Sequence, residues 1–355
     1  MKILYINGRY PFCYYYRGYL PAIYSNQMCT EFVHKDVDQA KLKENIKNAD
    51  VVVFQRPQTV ETFELIKQIK AIGKKVIFEN DDTYQVGKGI MLERLENDKQ
   101  RAVAVEVSNL TNQILSICDG AIASTELLAE EYRTHNKNVA VLKNCIDPLD
   151  AFPNKKNTTG KFRVGFIGSV TTNDDYIHIK DQIKQLDDRG DVTIVVFGIK
   201  YKDGSSLSFM KEDNVFWSQL KNVEWQHYVP VNQYMYTLSK LALDLIIIPR
   251  QDSYFNRCKS NIKFLEASLL KIPVLAQGFE SSPYQQDKDY LTLVTDNSKW
   301  YTTIIAIKDS YSTYKDLSEK AHKYVLQNYN IKSYAQTWTE TIQQLCKSQQ
   351  NIYQK

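Results

Sequence analysis

The 355-residue chain lacks the features that mark membrane, secreted and zinc-binding proteins. Its longest apolar run, Leu241–Pro249 with Asp244 inside it, is far shorter than the roughly 18–20 apolar residues of a transmembrane helix. The first residues, MKILYINGRY, contain no apolar core with a small-residue cleavage site, so we expect no signal peptide. The six cysteines and five histidines show no CxxC, HExxH or HxH spacing. We therefore expect free thiols in a reducing cytoplasm and no structural zinc site.

An excess of charge of one sign is also missing. The net charge is +4, and residues 1–155 carry 20 basic and 20 acidic side chains, against 25 and 21 in the remainder. This balance is too mild for a dedicated nucleic-acid-binding protein. The small excess in the second half suits a domain that holds a small anion.

The first half alternates short apolar runs with amphipathic stretches, the pattern of a doubly wound parallel sheet. Runs such as VVVF and KKVIF are continuous, as buried parallel strands are. Helices are predicted over Val60–Ile72 and Leu92–Ser116. The predicted strands are Lys2–Asn7, Ala49–Gln55, Lys75–Glu79, Gly120–Ser124 and Val139–Leu142.

The same pattern restarts after Asp147–Gly160, a polar stretch with Pro and Gly that we interpret as a linker. Helices are predicted over Tyr176–Asp188, Ser260–Leu270 and Asp316–Tyr329. The predicted strands of this half are Phe162–Ile167, Val192–Phe197, Ala242–Pro249, Pro273–Ala276 and Leu291–Thr295.

Two domains follow from this organisation, over residues 1–155 and 156–330. In such sheets ligands bind at the carboxyl ends of the strands, so two facing Rossmann-like halves predict a site in the cleft between them. The tail helix Ile331–Lys347 repeats apolar residues at helical spacing, and we expect it, within 331–350, to pack back on the first domain.

A polar loop followed by a helix forms the clearest constellation of the second half. Ser260 is a good N-cap, and the N–H groups of a helix start form an anion site. Lys259 and Lys263 flank this start, and Glu266 lies one turn beyond Lys263. The pattern fits a pyrophosphate with a ribose near Glu266, or a capped surface helix with an i,i+3 Lys–Glu pair.

This segment, Phe255–Ala276, reads FNRCKSNIKFLEASLLKIPVLA and resembles the nucleotide-sugar motif of group 1 GT-B glycosyltransferases, in particular the subgroup written FNxxKSxxKxLE. The resemblance implies an α/β GT-B fold of two facing Rossmann-like doubly wound domains with a cleft. It also implies that Glu266 holds the donor ribose, and that the backbone amides of Asn261 and Ile262 hold the diphosphate. Cys258 stands where most members carry an acidic residue, which leaves the usual sugar contact open.

The stretch VGFIGSVTTNDDY supplies a second donor element. Its Gly168-Ser169 turn follows a strand directly, which allows a phosphate or sugar close to the backbone. By resemblance the turn faces the diphosphate, with Thr171 and Thr172 as hydroxyl donors. Many relatives carry an Arg and a Lys here that neutralise the leaving group, and this chain has neither. We expect that role to pass to one or more of four cations, Arg250, Arg257, Lys259 or Lys263. By resemblance Ser260 lies with Lys259 and Lys263 at the phosphates.

Two elements of the first half are candidates for the acceptor side. Asp81 and Asp82 follow a strand, and they could bind acceptor hydroxyls, act as base, cap a helix or lie in a solvated turn. They could also hold a metal, although GT-B enzymes typically need none, and we expect no cofactor. Gly8, Arg9 and Arg17 follow the first strand among tyrosines, where they would suit a phosphate or sugar acceptor or simply pack at the surface.

The resemblance implies a cytoplasmic hexosyltransferase that uses a nucleotide-diphosphate sugar, a UDP-sugar first, and retains configuration. We expect the acceptor to be a glycan, a lipid-linked glycan, a protein or modified DNA of a bacterium or phage. We expect the protein to be a monomer or a dimer, in the cytosol or peripheral at the inner membrane face. The alternatives are a phage-type DNA glycosyltransferase, a GT-B sugar-nucleotide epimerase and a non-catalytic sugar-nucleotide binding protein. The epimerase ranks low, because only His178 and His227 lie near the motifs.

Overall fold

The structure is a computed structural model that describes residues 1–8, 10–31, 38–86, 88, 97–168, 172–198 and 211–348, except the side chains of 173, 174 and 211–214. The chain folds into two compact units. Unit 1 comprises Met1–Asp147, Ser253–Ser260 and the chain from Asn330, and unit 2 comprises Pro148–Asp252 and Asn261–Tyr329. The first division falls at Asp147, within the predicted linker, and the excursion of Ser253–Ser260 into unit 1 was not foreseen.

Unit 1 is built on a six-stranded parallel sheet in the order β2-β1-β3-β4-β5-β6. Five of its strands match predicted ones to within two residues at either end, and the two-residue β2 was missed. The strands are β1 (Ile3–Asn7), β2 (Met28–Cys29), β3 (Val51–Gln55), β4 (Lys75–Asn80), β5 (Gly120–Ala123) and β6 (Val139–Val141).

Helices flank this sheet. The long predicted helix from Leu92 is described from Asp98 onward, and its earlier part lies outside the described residues. A π-helix, Tyr15–Tyr19, continues the first helix and was not foreseen. The α-helices of unit 1 are α1 (Pro11–Tyr14), α2 (Leu20–Tyr24), α3 (Gln39–Asn48), α4 (Val60–Ala71), α5 (Asp98–Ile117), α6 (Glu126–Arg133), α11 (Tyr254–Arg257) and α15 (Ile331–Ser348).

Both faces of the unit 1 sheet bury apolar side chains, and one of them also carries buried polar groups at the carboxyl ends of its strands. One face packs an apolar core that includes Val52, Phe54 and Phe78 against the surrounding helices. On the other face, Gln55 and Glu79 are register neighbours at the carboxyl ends of β3 and β4, and both are buried. Burial on both faces is the reason that these strands read as continuous apolar runs.

Unit 2 repeats the architecture, with a six-stranded parallel sheet in the order β12-β11-β10-β7-β8-β9. Its strands are β7 (Phe162–Ile167), β8 (Val192–Phe197), β9 (Val223–Gln226), β10 (Leu245–Ile248), β11 (Val274–Gln277) and β12 (Thr292–Val294). Its α-helices are α7 (Asn173–Ile177), α8 (Lys180–Asp188), α9 (Lys211–Ser218), α10 (Val231–Lys240), α12 (Ile262–Leu269), α13 (Trp300–Asp309) and α14 (Tyr311–Asn328). β9 was missed, and the helix predicted over Tyr176–Asp188 is divided between α7 and α8.

The tail helix α15 belongs to unit 1. Four apolar residues at helical spacing marked it in the sequence; Trp338, Ile342 and Leu345 are buried, and Tyr334 is half-buried. Asn138 donates from its side chain to the Leu345 carbonyl at 2.7 Å, which fixes the helix near β6. In the described part of the chain, no helix combines the length and the apolar composition needed to cross a membrane.

Candidate active site

The start of α12 differs from the prediction. The helix begins at Ile262 with Asn261 as N-cap residue, so the prediction that Ser260 caps it was wrong. The Asn261 side chain makes no capping bond with a described residue, because its Nδ2 donates to Asp287 Oδ2 at 2.7 Å. Since the first N–H groups of a helix have no intrahelical partner, this uncapped start can serve an acceptor such as a phosphate oxygen.

Glu266 lies one turn into α12 and is 7% exposed. Its Oε2 accepts a hydrogen bond from the Tyr234 hydroxyl at 3.0 Å. Tyr234 comes from α10 and stacks on Phe197 at the end of β8, with 5.3 Å between ring centroids. The carboxylate predicted to hold the ribose is therefore oriented by a residue 32 positions earlier, which no local pattern marked.

Lys263 lies against the end of β7. Its Nζ donates to the Ile167 carbonyl. A Cβ added at Gly168 would lie 3.1 Å from this Nζ and 2.7 Å from Thr172 Oγ1. The structure thus brings three predicted donor residues together, Gly168, Thr172 and Lys263, and glycine leaves the room that Lys263 occupies. Ser169 and Thr171 lie outside the described residues.

Arg250 is buried after β10 and pairs with a carboxylate of its own unit. Its Nη1 lies 3.2 Å from Asp175 Oδ2, and Asp175 Oδ1 also accepts from the backbone N–H of Gln251 at 3.1 Å. The pair stabilises the loop that leaves β10, and contact between Arg250 and the donor stays a prediction.

A cluster of ionic side chains lies at the carboxyl ends of β3 and β4 in unit 1, and we call Arg56, Asp81, Asp82 and Lys259 the charge cluster. Arg56 Nε lies 3.2 Å from Asp81 Oδ1, and Asp82 pairs with both Arg56 and Lys259. The Tyr10 ring covers the guanidinium of Arg56 at 4.8 Å. Asp81, Asp82 and Lys259 were predicted functional residues, whereas Arg56, which follows its strand in a left-handed conformation (φ 51°), was missed.

Electrostatics make Asp81 a weak base. Burial alone would raise the pKa of its carboxyl, but Arg56, Lys259 and Arg17 outweigh burial and hold the pKa below its ordinary value. A carboxylate with a lowered pKa takes a proton reluctantly at neutral pH. Asp81 is therefore poorly suited to abstract a proton, and its contact with an acceptor hydroxyl stays a prediction.

The structure corrects the acceptor-binding prediction for Arg17. The side chain is fully buried and its Nε donates to Glu79 Oε1 at 2.6 Å, so it cannot touch an acceptor. The guanidinium also lies over the Trp338 ring at 4.7 Å. Burial, partly offset by Arg17, raises the pKa of Glu79 to about 7. At Gly8 a Cβ would lie 2.0 Å from the Gln55 carbonyl oxygen, so close packing of the backbone explains the glycine and its contact with an acceptor stays a prediction. Arg9 lies outside the described residues.

The predicted motif is divided between the two units after Ser260. Cys258 is buried in the apolar core of unit 1, where its carbonyl accepts from the Thr125 hydroxyl at 2.9 Å. The residue that replaces the family's acidic side chain is thus a packing residue. Arg257 is exposed at the end of α11, and its catalytic role stays a prediction. Among the described residues, no group of three or more His, Cys, Asp or Glu side chains is arranged to hold a metal ion.

Comparison with known proteins identifies the class of fold. Two six-stranded parallel sheets with flanking helices are the α/β architecture of GT-B glycosyltransferases, as the sequence resemblance implied. No protein-family model and no curated protein matches the chain.

Individual solved structures match at low sequence identity. HepE (Alr3699) of Anabaena in complex with UDP-glucose matches with a TM-score of 0.63 at 15% identity, over 97% of this chain and 100% of that one. Sucrose-phosphate synthase of Thermosynechococcus elongatus matches with a TM-score of 0.67 at 10% identity, over 98% and 100%. TarM of S. aureus matches with 0.60 at 14% identity over 85% of this chain, which spans only 57% of TarM. At these identities the likeness shows the fold alone.

Proposed function

We propose that the protein is a glycosyltransferase that moves a sugar from a UDP-sugar to an acceptor hydroxyl with retention of anomeric configuration. The start of α12 carries the proposal, because an uncapped helix N-terminus lies beside Lys263, with Glu266 one turn further and held by Tyr234. These groups offer donors to a diphosphate and a carboxylate to a ribose. The likeness in fold to HepE, crystallised with UDP and with UDP-glucose, supports uridine as the base.

The proposed reaction breaks the bond between the anomeric carbon and the diphosphate oxygen and forms one to the acceptor oxygen. Negative charge then develops on the leaving diphosphate, where the α12 N–H groups and Lys263 would stabilise it. In the retaining route that we propose, the acceptor proton passes to a phosphate oxygen of the donor. The lowered pKa of Asp81 agrees with a reaction that needs no protein base.

We propose a neutral glycan hydroxyl as acceptor, in cytoplasmic glycan decoration by a bacterium or phage. The charge cluster pairs its two cations with two carboxylates, an arrangement that suits hydroxyls better than a polyanion. The six cysteines are free, which agrees with a reducing compartment. Binding to DNA that is tight at low salt and falls steeply as salt rises would contradict this choice of acceptor.

Calorimetric titration with UDP and GDP tests the donor assignment. We expect UDP to bind at submillimolar concentration, and Glu266→Ala to weaken binding by about tenfold to a hundredfold, as the loss of a hydrogen bond to a charged group does. Glu319→Ala, which removes an exposed carboxylate paired with Lys271 in the same unit, is the control and should leave binding unchanged. No UDP binding by the wild-type protein would end the proposal, and wild-type affinity in Glu266→Ala would remove Glu266 from the donor site. The anomeric proton coupling of the product, measured by NMR, tests retention.

A further inference from the structure

A buried guanidinium in unit 1 determines how Asn144 is oriented. Arg17 is fixed by the ion pair with Glu79, by the Trp338 ring below it and by the Leu142 carbonyl. Its Nη1 lies 3.1 Å from Asn144 Oδ1. Because a guanidinium carries only donors, the Asn144 atom that faces it must be the carbonyl oxygen. The amide nitrogen of Asn144 is then turned to the other side.

On that other side lies the hydroxyl of Ser260. Asn144 Nδ2 donates to Ser260 Oγ at 2.7 Å, within unit 1. A hydroxyl that accepts in this direction directs its own proton elsewhere. No described residue accepts that proton, and the Ser260 side chain is half-buried. Ser260 is thus prepared to donate a hydrogen bond to a ligand.

We propose that Asn144 is a positioning residue that sets Ser260 as a hydrogen-bond donor to the diphosphate of the donor nucleotide. This inference rests on the proposed function and deepens it. Asn144 lies three residues beyond the end of β6.

The chemistry next to Ser260 explains why the ligand would be a phosphate. Because Asn144 donates to Ser260 Oγ, the hydroxyl presents its own proton with a fixed polarity. A diphosphate carries only acceptors at neutral pH and therefore matches that polarity. A ligand hydroxyl could donate or accept and would not require a fixed polarity.

The test reverses the polarity of Asn144. In Asn144→Asp a carboxylate oxygen still faces Arg17, but the other oxygen accepts from Ser260 and draws its proton away from the ligand. We expect the variant to bind UDP about tenfold more weakly, while its affinity for uridine, which lacks phosphate, stays unchanged. Ser260→Ala should lose a similar factor, and the double variant should bind like Ser260→Ala, because the two residues act through one hydrogen bond.

Three results would count against the inference. UDP binding by Asn144→Asp at the wild-type level would overturn it, as would losses that multiply in the double variant. A loss that disappears at high salt would point to simple charge repulsion and would overturn it too. If Asn144→Asp does not fold, Asn144→Ala takes its place in the cycle, with an expected loss of about threefold. Wild-type protein that binds no UDP contradicts the proposed function itself, whereas intact wild-type binding with unaffected variants contradicts only the role of Asn144.

Discussion

The carboxyl ends of the two sheets carry opposite chemistry on the same architecture. In unit 1, β3 and β4 end in a charge cluster whose two cations and two carboxylates pair with one another. In unit 2, β7 is followed directly by Gly168, Lys263 donates to the last carbonyl of that strand, and the start of α12 is uncapped. We call the carboxyl ends of the strands in each sheet the edge of that unit. The edge of unit 1 balances its own charge, and the edge of unit 2 presents hydrogen-bond donors.

This difference assigns a kind of ligand to each unit under the proposed function. A donor-rich edge suits the acceptor-only oxygens of a diphosphate. A self-neutralised edge with an aromatic ring over it suits neutral hydroxyls, which both donate and accept. Each unit also contains a buried arginine–carboxylate pair, Arg17–Glu79 in one and Arg250–Asp175 in the other. Because both units have such a pair, these arginines do not account for the difference between the two edges.

The largest effect is expected from removing the buried arginine of unit 1. Arg17→Ala leaves Glu79 buried without its cation, which costs about 3–5 kcal/mol in comparable pairs. Hydrogen exchange measured by mass spectrometry should rise in β1, β3 and β4 and stay unchanged in β7 and β8. Arg133→Ala, which breaks an exposed pair with Glu126, is the control in the same unit. Equal exchange in the two variants would show that Arg17 does not support the edge.

A smaller effect is expected at the edge of unit 2. In Gly168→Ala the new methyl group would meet the Thr172 side chain at 2.7 Å, which forces that residue to shift. It would also lie 3.1 Å from Lys263 Nζ, so the ammonium must give by a few tenths of an ångström. We expect UDP affinity to fall about tenfold, since a displaced cation loses its hydrogen bond to phosphate. Gly190→Ala is the control, because a Cβ there has no neighbour within 4 Å although its φ of 77° adds some strain. If both variants bind UDP like the wild type, Gly168 is not needed to hold Lys263 at the diphosphate.

The sequence predicted the sheets well and the side-chain partnerships poorly, for a physical reason. Buried parallel strands such as β3 leave continuous apolar runs, and α15 shows its apolar face at helical spacing. Arg17 looked like a ligand-binding residue because its partner Glu79 lies 62 positions away. Tyr234 and Asn144 were missed for the same reason, as each acts on a residue that is close only in the fold. The Ser260 cap failed because tertiary hydrogen bonds took both Ser260 and Asn261 away from the helix start.

The smallest effect, and the sharpest test of the comparison, concerns Asp82. Asp82→Asn removes one carboxylate from the charge cluster and leaves Arg56 and Lys259 with less compensation, so the edge of unit 1 becomes more positive. If this edge does not bind the donor, UDP affinity should change by less than about threefold, because partly exposed ion pairs contribute little. Any change should vanish at high salt, which screens the charge. Calorimetry at low and high salt measures this.

Asp50→Asn, which alters an exposed carboxylate that accepts from the backbone N–H of Lys2, controls for net charge, because it removes the same charge far from the carboxyl ends of the strands. A tenfold loss of UDP affinity in Asp82→Asn alone would place Asp82 at the donor. It would also contradict the assignment of different ligands to the two edges. A gain that appears only in Asp82→Asn and is screened by salt would show that pairing within the charge cluster is what keeps the unit 1 edge from attracting anions.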